Sequence, residues 1–308
     1  MSNEAAPEPT FLLLGKSAKS AWWRYILGML IIAGGYFVFG SVAYCIVLVL
    51  LCGKIPNLDK VTGRVTDVDP IFQYIALNST FLTLLLFTFM VVRFLHVRGF
   101  KTLITPSDKI DFGRIGIGFL LWCCLAASVE GIGAIIFPGD YHYVLESPAF
   151  FNYAPIVLLF TPMQCFVEEI AFRGYLLQML SKITTSRWWL CGINGFLFML
   201  PHISNPEVAV SENLMSLIPT LLLYFGIGFL LTLATIRSNS LELAIGAHIG
   251  NNLFDGLIVN YSDSALQTKS VFLCTKLHPW YELIMLVIFG AVFYFAIDRY
   301  LKSPQKTN

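Results

Sequence analysis

The chain alternates long apolar stretches with short polar ones. Apolar stretches recur over roughly 25–51, 71–95, 115–137, 153–180, 188–204, 214–236, 241–259 and 280–299. A helix needs about 20 mostly apolar residues to cross the hydrocarbon layer of a bilayer. The pattern therefore predicts an all-α fold, a polytopic membrane bundle of about eight transmembrane helices. The fifth and seventh stretches are the shortest and are broken by polar residues. Pro162, Pro201 and Pro219 fall inside stretches, where proline is tolerated if neighbouring helices re-satisfy the freed carbonyls. The first stretch is too long for a cleaved signal and reads as a permanent anchor. Residues 1–22 are expected to be a disordered polar tail, 23–300 a single transmembrane domain, and 301–308 a C-terminal tail.

Composition agrees with this reading. The chain is 56% hydrophobic and 13% charged, whereas soluble domains carry about 25% charged residues. A net charge of +1 leaves no basic footprint for nucleic acid. The placement of charge says more than its sum. Of the 20 Lys and Arg, five (Lys54, Lys60, Arg64, Lys269 and Lys276) fall on connections after odd-numbered stretches, and the rest lie on the other side. Cytoplasmic connections are the Lys/Arg-rich ones, so both termini are expected in the cytoplasm. Trp22, Trp23, Trp188, Trp189 and Trp280 sit at stretch ends, the interfacial place for this side chain. The 7 Cys form no CxxC pair. Five fall in apolar stretches and read as small packers. Cys52 and Cys274, at stretch ends, are expected outside, where an oxidising compartment would permit a disulfide between them. The expected location is the inner or plasma membrane of a bacterial cell.

An ionisable side chain deep in a span costs roughly 2.5–3.5 kcal/mol on insertion scales, which makes it a functional candidate by default. Three clusters qualify. Glu168-Glu169-Ile170-Ala171-Phe172-Arg173 lies in the fourth stretch. Adjacent carboxylates point about 100° apart on a helix, whereas Glu169 and Arg173 share a face in the favourable acid-first order. Pairing of those two leaves Glu168 free to face a cavity, and desolvation there tunes a carboxylate towards general-base work. Phe198 and His202 share a face in the fifth stretch, as do His248 and Asn252 in the seventh. Counting about 1.5 Å per residue from the inner boundary, Glu168 and His202 lie at matching depth, with His248 and Asn252 slightly shallower. The bland alternatives are an ion-pair network between helices and satisfied polar packers. His96 reads as interfacial, and His142 and His278 as loop residues. Glu130 and Asp255 are left as cavity-lining or supporting candidates.

Glu-Glu-x-x-x-Arg, Phe-x-x-x-His and His-x-x-x-Asn, in this order on separate predicted helices, resemble the CAAX protease and bacteriocin-processing (CPBP, or Abi) family, which includes the type II CAAX prenyl endopeptidases. Flanking residues fit as well: Phe172-Arg173-Gly174-Tyr175-Leu176-Leu177-Gln178, His202-Ile203-Ser204-Asn205-Pro206 and Ser240-Leu241-Glu242-Leu243-Ala244-Ile245. The resemblance covers residues 153–256. Pro201, Gly246 and Glu242 depart from the usual pattern. No His-Glu-x-x-His, Gly-x-Gly-Asp or Gly-x-Ser-x-Gly motif is present.

The resemblance implies an intramembrane endopeptidase, often classed as a metalloprotease, acting on a peptide or protein substrate at the membrane. It implies Glu168 as the base that activates water, His202 as its helper, and His248 with Asn252 as oxyanion donors. Glu169, Arg173 and Phe198 would order the site. A zinc ion, if used, would sit on Glu168, His202 and His248. The His248–Asn252 pair favours a site without a required metal, since a metal would itself polarise the carbonyl. The partners expected are the substrate and the lipid bilayer, with no nucleic acid. Other readings of the same fold are a non-catalytic bacteriocin self-immunity or scaffold protein, and a proton-coupled transporter using Glu168.

Overall fold

The structure, a computed structural model, describes residues 10–145, 148–211 and 213–303. It is a helical bundle. In chain order the helices are α1 (Thr10–Leu13), α2 (Trp22–Cys52), α3 (Pro70–Leu95), α4 (Phe112–Ile136), α5 (Ala149–Leu180), α6 (Arg187–His202), α7 (Pro206–Ala209), α8 (Leu214–Ser238), α9 (Glu242–Leu257) and α10 (Pro279–Lys302). Among the described residues six of them, α2, α3, α4, α5, α8 and α10, are long and apolar enough to cross a membrane. Their outward faces carry large apolar side chains such as Leu30, Phe37, Leu159, Val287 and Phe295. Lipid is the solvent that such a surface requires. The protein is a polytopic helical membrane protein.

The fifth and seventh expected spans are α6 and α9, each of 16 residues. At about 1.5 Å per residue each is about 24 Å long, shorter than the ~30 Å hydrocarbon layer. α9 is surrounded by the longer helices, whereas α6 packs on α8 and the end of α5 and leaves Trp188, Trp189, Phe196 and Leu200 exposed. α9 is the buried centre of the bundle. Residues 242–248 and Gly250 are all buried, and the helix packs on α4, α5 and α8. Small residues permit this. A Cβ on Gly246 would lie 1.9 Å from the Ile115 carbonyl oxygen, and one on Gly250 would lie 2.8 Å from that of Phe119. Spacing of small residues by four brings membrane helices into backbone contact. Gly246, a departure from the family pattern in the sequence, is thus required by the α4 contact. Glu242 at the start of α9 is equally fixed: it accepts from the Asp111 backbone N–H (2.9 Å) and the Ser240 hydroxyl (2.7 Å).

The connections divide between two faces. On one, β1 (Tyr141–Tyr143), β3 (Phe272–Cys274) and β2 (Val259–Tyr261) form a small sheet in the order β1-β3-β2. β1 pairs antiparallel and β2 parallel with β3. Arg64, from the α2–α3 connection, donates to the carbonyls of Ser262 (3.1 Å) and Ser264 (2.7 Å), tying that connection to the sheet region. Cys52 and Cys274 both belong to this side as free thiols, with no disulfide between them. Among the described residues these strands and an isolated antiparallel bridge between Leu58 and Val65 are the departures from helix and irregular connections, and they lie between the long helices.

The opposite face holds both described ends of the chain. The segment expected as a disordered tail over 1–22 is folded from Thr10 onward. α1 and a 3-10 turn at Leu14–Lys16 bury Phe11 and Leu12 completely in the hydrophobic cluster beneath α5. The Phe11 N–H donates to Asn239 Oδ1 (2.8 Å), and Gln178 and Arg98 donate to the carbonyls of Phe11 and Leu14. The run Phe11-Leu12-Leu13-Leu14 is too short to register as a span, yet it is apolar enough to seal a cluster. Residues 1–9 of that expected tail and 304–308 of the C-terminal one lie outside the described residues.

His96, just past α3, closes this face more tightly than an interfacial residue would. It is 1% exposed. Its Nδ1 lies 3.0 Å from the Lys19 carbonyl oxygen, so it carries the proton, and its Nε2 accepts from the Tyr175 hydroxyl (2.9 Å). Burial, followed by the charges of Arg98, Arg24 and Lys182, pushes its pKa down to about 4, against the opposing hydrogen bond to Lys19. The ordinary value is 6.5. The neutral ring therefore contributes stability that is complete above pH 6.5 and is lost as pH falls towards about 4, because the unfolded chain takes up the proton first. We expect the thermal midpoint in detergent to decline across that window, with a shallower decline in His96→Gln. Parallel declines in the two proteins would rule the ring out as the cause.

Candidate active site

The fourth predicted stretch becomes α5, whose course changes at the acidic pair. Regular α-helix ends at Glu169, and residues Ile170–Leu176 form a π-helical segment before α geometry resumes. Single wide turns of this kind collect at functional sites. Pro155 and Pro162 lie upstream in the same helix. Glu168 and Glu169 are both buried, pointing to different neighbours. Glu168 faces the cavity described below, where Gln164, one turn earlier, donates to its Oε1 (3.1 Å). Glu169 points into the packed interior and meets Arg173 Nη1 at 2.8 Å, with both side chains fully buried.

α9 brings the second partner of Glu169. His248 Nδ1 donates to the same Glu169 oxygen, Oε1, at 2.8 Å, while its Nε2 lies 3.7 Å from Glu168 Oε2. One imidazole thus bridges the two carboxylates, and this ties α9 to α5. Because Nδ1 donates to a carboxylate, it carries the proton. Asn252, one turn along, lines the cavity and has its side-chain oxygen held by Asn251 Nδ2 (3.0 Å). Asn251 is itself fixed: Trp122 Nε1 of α4 donates to its oxygen (2.9 Å), and it donates onward to Asp255 (3.1 Å).

α6 supplies Phe198 and His202. Phe198 is buried between three site residues. Arg173 stacks over its ring with the guanidinium carbon 4.1 Å from the centroid, and the rings of His202 and His248 are centred 4.8 and 6.0 Å away. His202 Nδ1 is 2.8 Å from the Phe198 carbonyl oxygen and so carries the proton, leaving Nε2 as an acceptor. The opposite face of the His202 ring stacks on Tyr224 of α8, with centroids 4.3 Å apart. Tyr224 donates to Glu207, which also accepts from Asn205 Nδ2 (3.0 Å). Helix α6 approaches α8 through Gly195, where an added Cβ would meet the Phe225 carbonyl oxygen at 2.9 Å. Asn194 donates to the Phe172 carbonyl (2.8 Å) and accepts from Thr232 (3.0 Å), fixing α6, α5 and α8 relative to one another.

Glu168, Phe198, His202, His248 and Asn252 line one cavity of about 1160 Å³, while Glu169 and Arg173 lie behind its wall. Glu130 lines it as well and accepts from Tyr141 (2.9 Å), and Asp255 lines it one turn past Asn251. Motif reading passed over Gln164, Glu207 and Tyr224. Gln164 is four residues before Glu168, a helical spacing that could have flagged it. Glu207 and Tyr224 meet across separate elements, and local pattern carries no signal for that. The arrangement offers a carboxylate, a ring nitrogen acceptor and two donor-bearing side chains around one space. Among the described residues, no three His, Cys, Asp or Glu side chains converge to hold a metal ion. Glu168, His202 and His248 as placed do not form a three-ligand cradle, and His248 Nδ1 is committed to Glu169.

Comparison with known proteins points to the same segment. The model of the family described as type II CAAX prenyl endopeptidase Rce1-like matches residues 150–254, which span all three motifs. The chain is also 29% identical over 276 residues to the uncharacterized protein YyaK of Bacillus subtilis (strain 168), covering 88% of this chain and 89% of that protein. No solved structure matches it.

The buried pair and the ring that shares it set a stability expectation. Arg173→Ala leaves Glu169 buried with its cation removed and opens space beneath Phe198. Breaking a buried pair in this way costs roughly 3–5 kcal/mol. The thermal midpoint of the purified protein should drop sharply. Glu168→Gln, which keeps the Gln164 contact and strands no charge, should stay near wild type. Equal midpoints for Arg173→Ala and wild type would refute the structural weight given to the pair.

Proposed function

We propose that this protein is an intramembrane endopeptidase of the CAAX-processing type, hydrolysing a peptide bond through water activated by Glu168. The observation that most supports this reading is the His248 ring. It is 2.8 Å from Glu169 and 3.7 Å from Glu168, which joins α9 to α5 beside the space that His202 of α6 also lines. A peptidase role also agrees with the family whose model matches residues 150–254.

The chemistry follows from which atoms are free. A water between Glu168 and His202 gives its proton to the Glu168 carboxylate while His202 Nε2 accepts the other hydrogen. Nε2 is available for this because Nδ1 is held by the Phe198 carbonyl. The hydroxide attacks the peptide carbonyl carbon, and the carbonyl oxygen becomes an oxyanion. Asn252 Nδ2 and His248 Nε2 are the donors for that charge, and donors already aimed at a developing oxyanion are worth about 10²–10³ in rate each. His248 donates from Nε2 only as the imidazolium, since Nδ1 already donates to Glu169. Charge balance favours that form: Glu168 and Glu169 bring two negative charges against one positive charge on Arg173. Glu168 then passes its proton to the leaving nitrogen as the C–N bond breaks, giving a new amine and a new carboxylic acid. Gln164, Glu169, Phe198, Asn251 and Arg173 position these groups.

Glu168→Gln keeps the shape of the side chain and its place beside Gln164 but cannot take a proton. Loss of a general base costs about 10²–10⁴-fold in rate. Comparing membrane peptides from cells that carry the wild-type protein with those from Glu168→Gln cells should show products that disappear in the variant. Identical peptide profiles, with both proteins present and folded, would sink the reading.

The donor pair makes a metal unnecessary in this scheme. Purified protein should keep its activity after exhaustive chelation, with metal content measured in the same sample. Activity that vanished with zinc and returned on adding back one equivalent would overturn that part.

A further inference from the structure

The wall of the cavity carries more carboxyl groups than the reaction uses. Among its described lining residues, Arg64 is the one Lys or Arg, against five carboxylates: Glu130, Glu168, Glu207, Asp255 and Glu282. Arg64 is engaged elsewhere: its guanidinium donates to the carbonyls of Ser262 and Ser264 and lies 3.9 Å from Asp263 Oδ1. Glu130, Asp255 and Glu282 come from α4, α9 and α10 and lie close enough to act on one another electrostatically. Tyr281, next to Glu282, donates to the carbonyl of Val129, next to Glu130 (2.5 Å), so the two helices are pinned where the carboxylates meet. Carboxyl groups drawn together in a poorly solvated space resist ionising together, and a cation among them favours their charged form.

Glu207 adds a separate observation. It is 6% exposed and lines the cavity. Its Oε1 is held by Tyr224 and Asn205, while its Oε2 is buried without a hydrogen-bond partner. A buried carboxylate oxygen left open in a cavity wall is a vacant acceptor, and such groups are normally satisfied. Convergent ligands for a metal ion are absent among the described residues, so the fitting donor is one that reaches several separated oxygens. Lysine and arginine side chains on a flexible peptide do this. The cavity, at about 1160 Å³, exceeds the usual 300–1,000 Å³ of small-molecule sites, and its apolar wall includes Leu77, Phe81, Trp122 and Leu286. That is room for a chain segment and not for an isolated amine.

The cavity also has a side. Thr62–Arg64 and Ser264–Thr268, from connections on the face of the small sheet, line it, whereas no described residue of connections 96–111, 181–186 or 239–241 does. We propose that the cavity takes a cationic, partly apolar polypeptide segment that enters from the face opposite the chain termini, with Glu130, Glu207, Asp255 and Glu282 holding its positive charges. On the positive-inside reading that face is outside the cell. The proposal names the substrate class for the site read above as a peptidase, and it rests on that reading for the fate of the segment but not for its binding.

Binding is therefore measured apart from cleavage, on full-length Glu168→Gln protein in nanodiscs. Two fluorescent peptides share the same apolar residues, one carrying lysines and the other glutamates. The lysine peptide should bind at least roughly tenfold more tightly, and the preference should shrink as salt rises. Glu130→Gln with Glu282→Gln should abolish the preference, and Glu282→Lys should shift it towards the glutamate peptide. Equal binding of the two peptides overturns the proposal even if those variants fail to fold, because that comparison needs neither. Spermine binding as tightly as the lysine peptide would also overturn it, by making the occupant a small amine. For the side of entry, a cysteine replacing Gln267 should react with an impermeant thiol reagent in intact cells and be protected by the lysine peptide added outside. Reaction only after permeabilisation overturns entry from that face. If the peptide binds as described but wild-type protein never cleaves any peptide, the peptidase reading fails and the binding site stands.

Discussion

A charge inside a membrane protein persists when a partner meets it, and the bundle is organised around one such meeting. Glu169 and Arg173 are fully buried at 2.8 Å, and His248 from another helix shares the same carboxylate oxygen. Leaving any of the three unpaired in a low-dielectric interior would cost several kcal/mol. That penalty fixes the rotation of α5 and α9 about their axes. Once they are fixed, Glu168 has no choice but to face away from the pair, into the cavity. Phe198 under the guanidinium extends the constraint to α6, and with it the place of His202.

Small residues make this meeting possible. Gly246 and Gly250 let α9 lie against the α4 backbone, and Gly195 does the same for α6 against α8. α9, which carries His248 and Asn252, is therefore an inner helix, shielded by longer ones. This arrangement explains how the 16-residue α9 lives in a membrane protein: longer helices enclose it, and its polar groups face partners or a cavity and not lipid. The 16-residue α6 turns Asn194 and Phe198 inward and leaves an apolar outer side. The outer faces of the longer helices remain free to be apolar throughout.

The two faces of the bundle are closed by different means. On the terminal side, Phe11 and Leu12 plug a hydrophobic cluster, and His96 joins Lys19 to Tyr175 within the π-helical segment of α5. The first residues of the chain thus brace the helix that carries Glu168. On the other side, a three-stranded sheet and Arg64 bind the connections to one another, and the cavity reaches that layer. A dense seal on one side and a polar, loop-built margin on the other give the cavity its direction.

Much of this was written in local pattern. Apolar length marked the six long helices, since crossing a bilayer imposes a length that a sequence window can read. The acid-first spacing of Glu169 and Arg173 told of their pairing, and helical spacing put Phe198 with His202 and His248 with Asn252 on shared faces. Local pattern was silent where contact depended on rotation and proximity between helices. That His248 would bridge both carboxylates, that Asn251 and Trp122 would orient Asn252, and that Tyr224 and Glu207 would back His202 are facts of tertiary packing. The same holds for the folded segment from Thr10, whose Phe11, Leu12 and Leu14 have meaning only against the cluster they join. Glu130 and Asp255 stood far apart in the chain, Glu282 carried no local signal, and folding placed all three along one wall. Spacing along a helix reports which side chains share a face. Which faces meet is decided by the depth and rotation at which buried charges find partners and small residues let backbones touch.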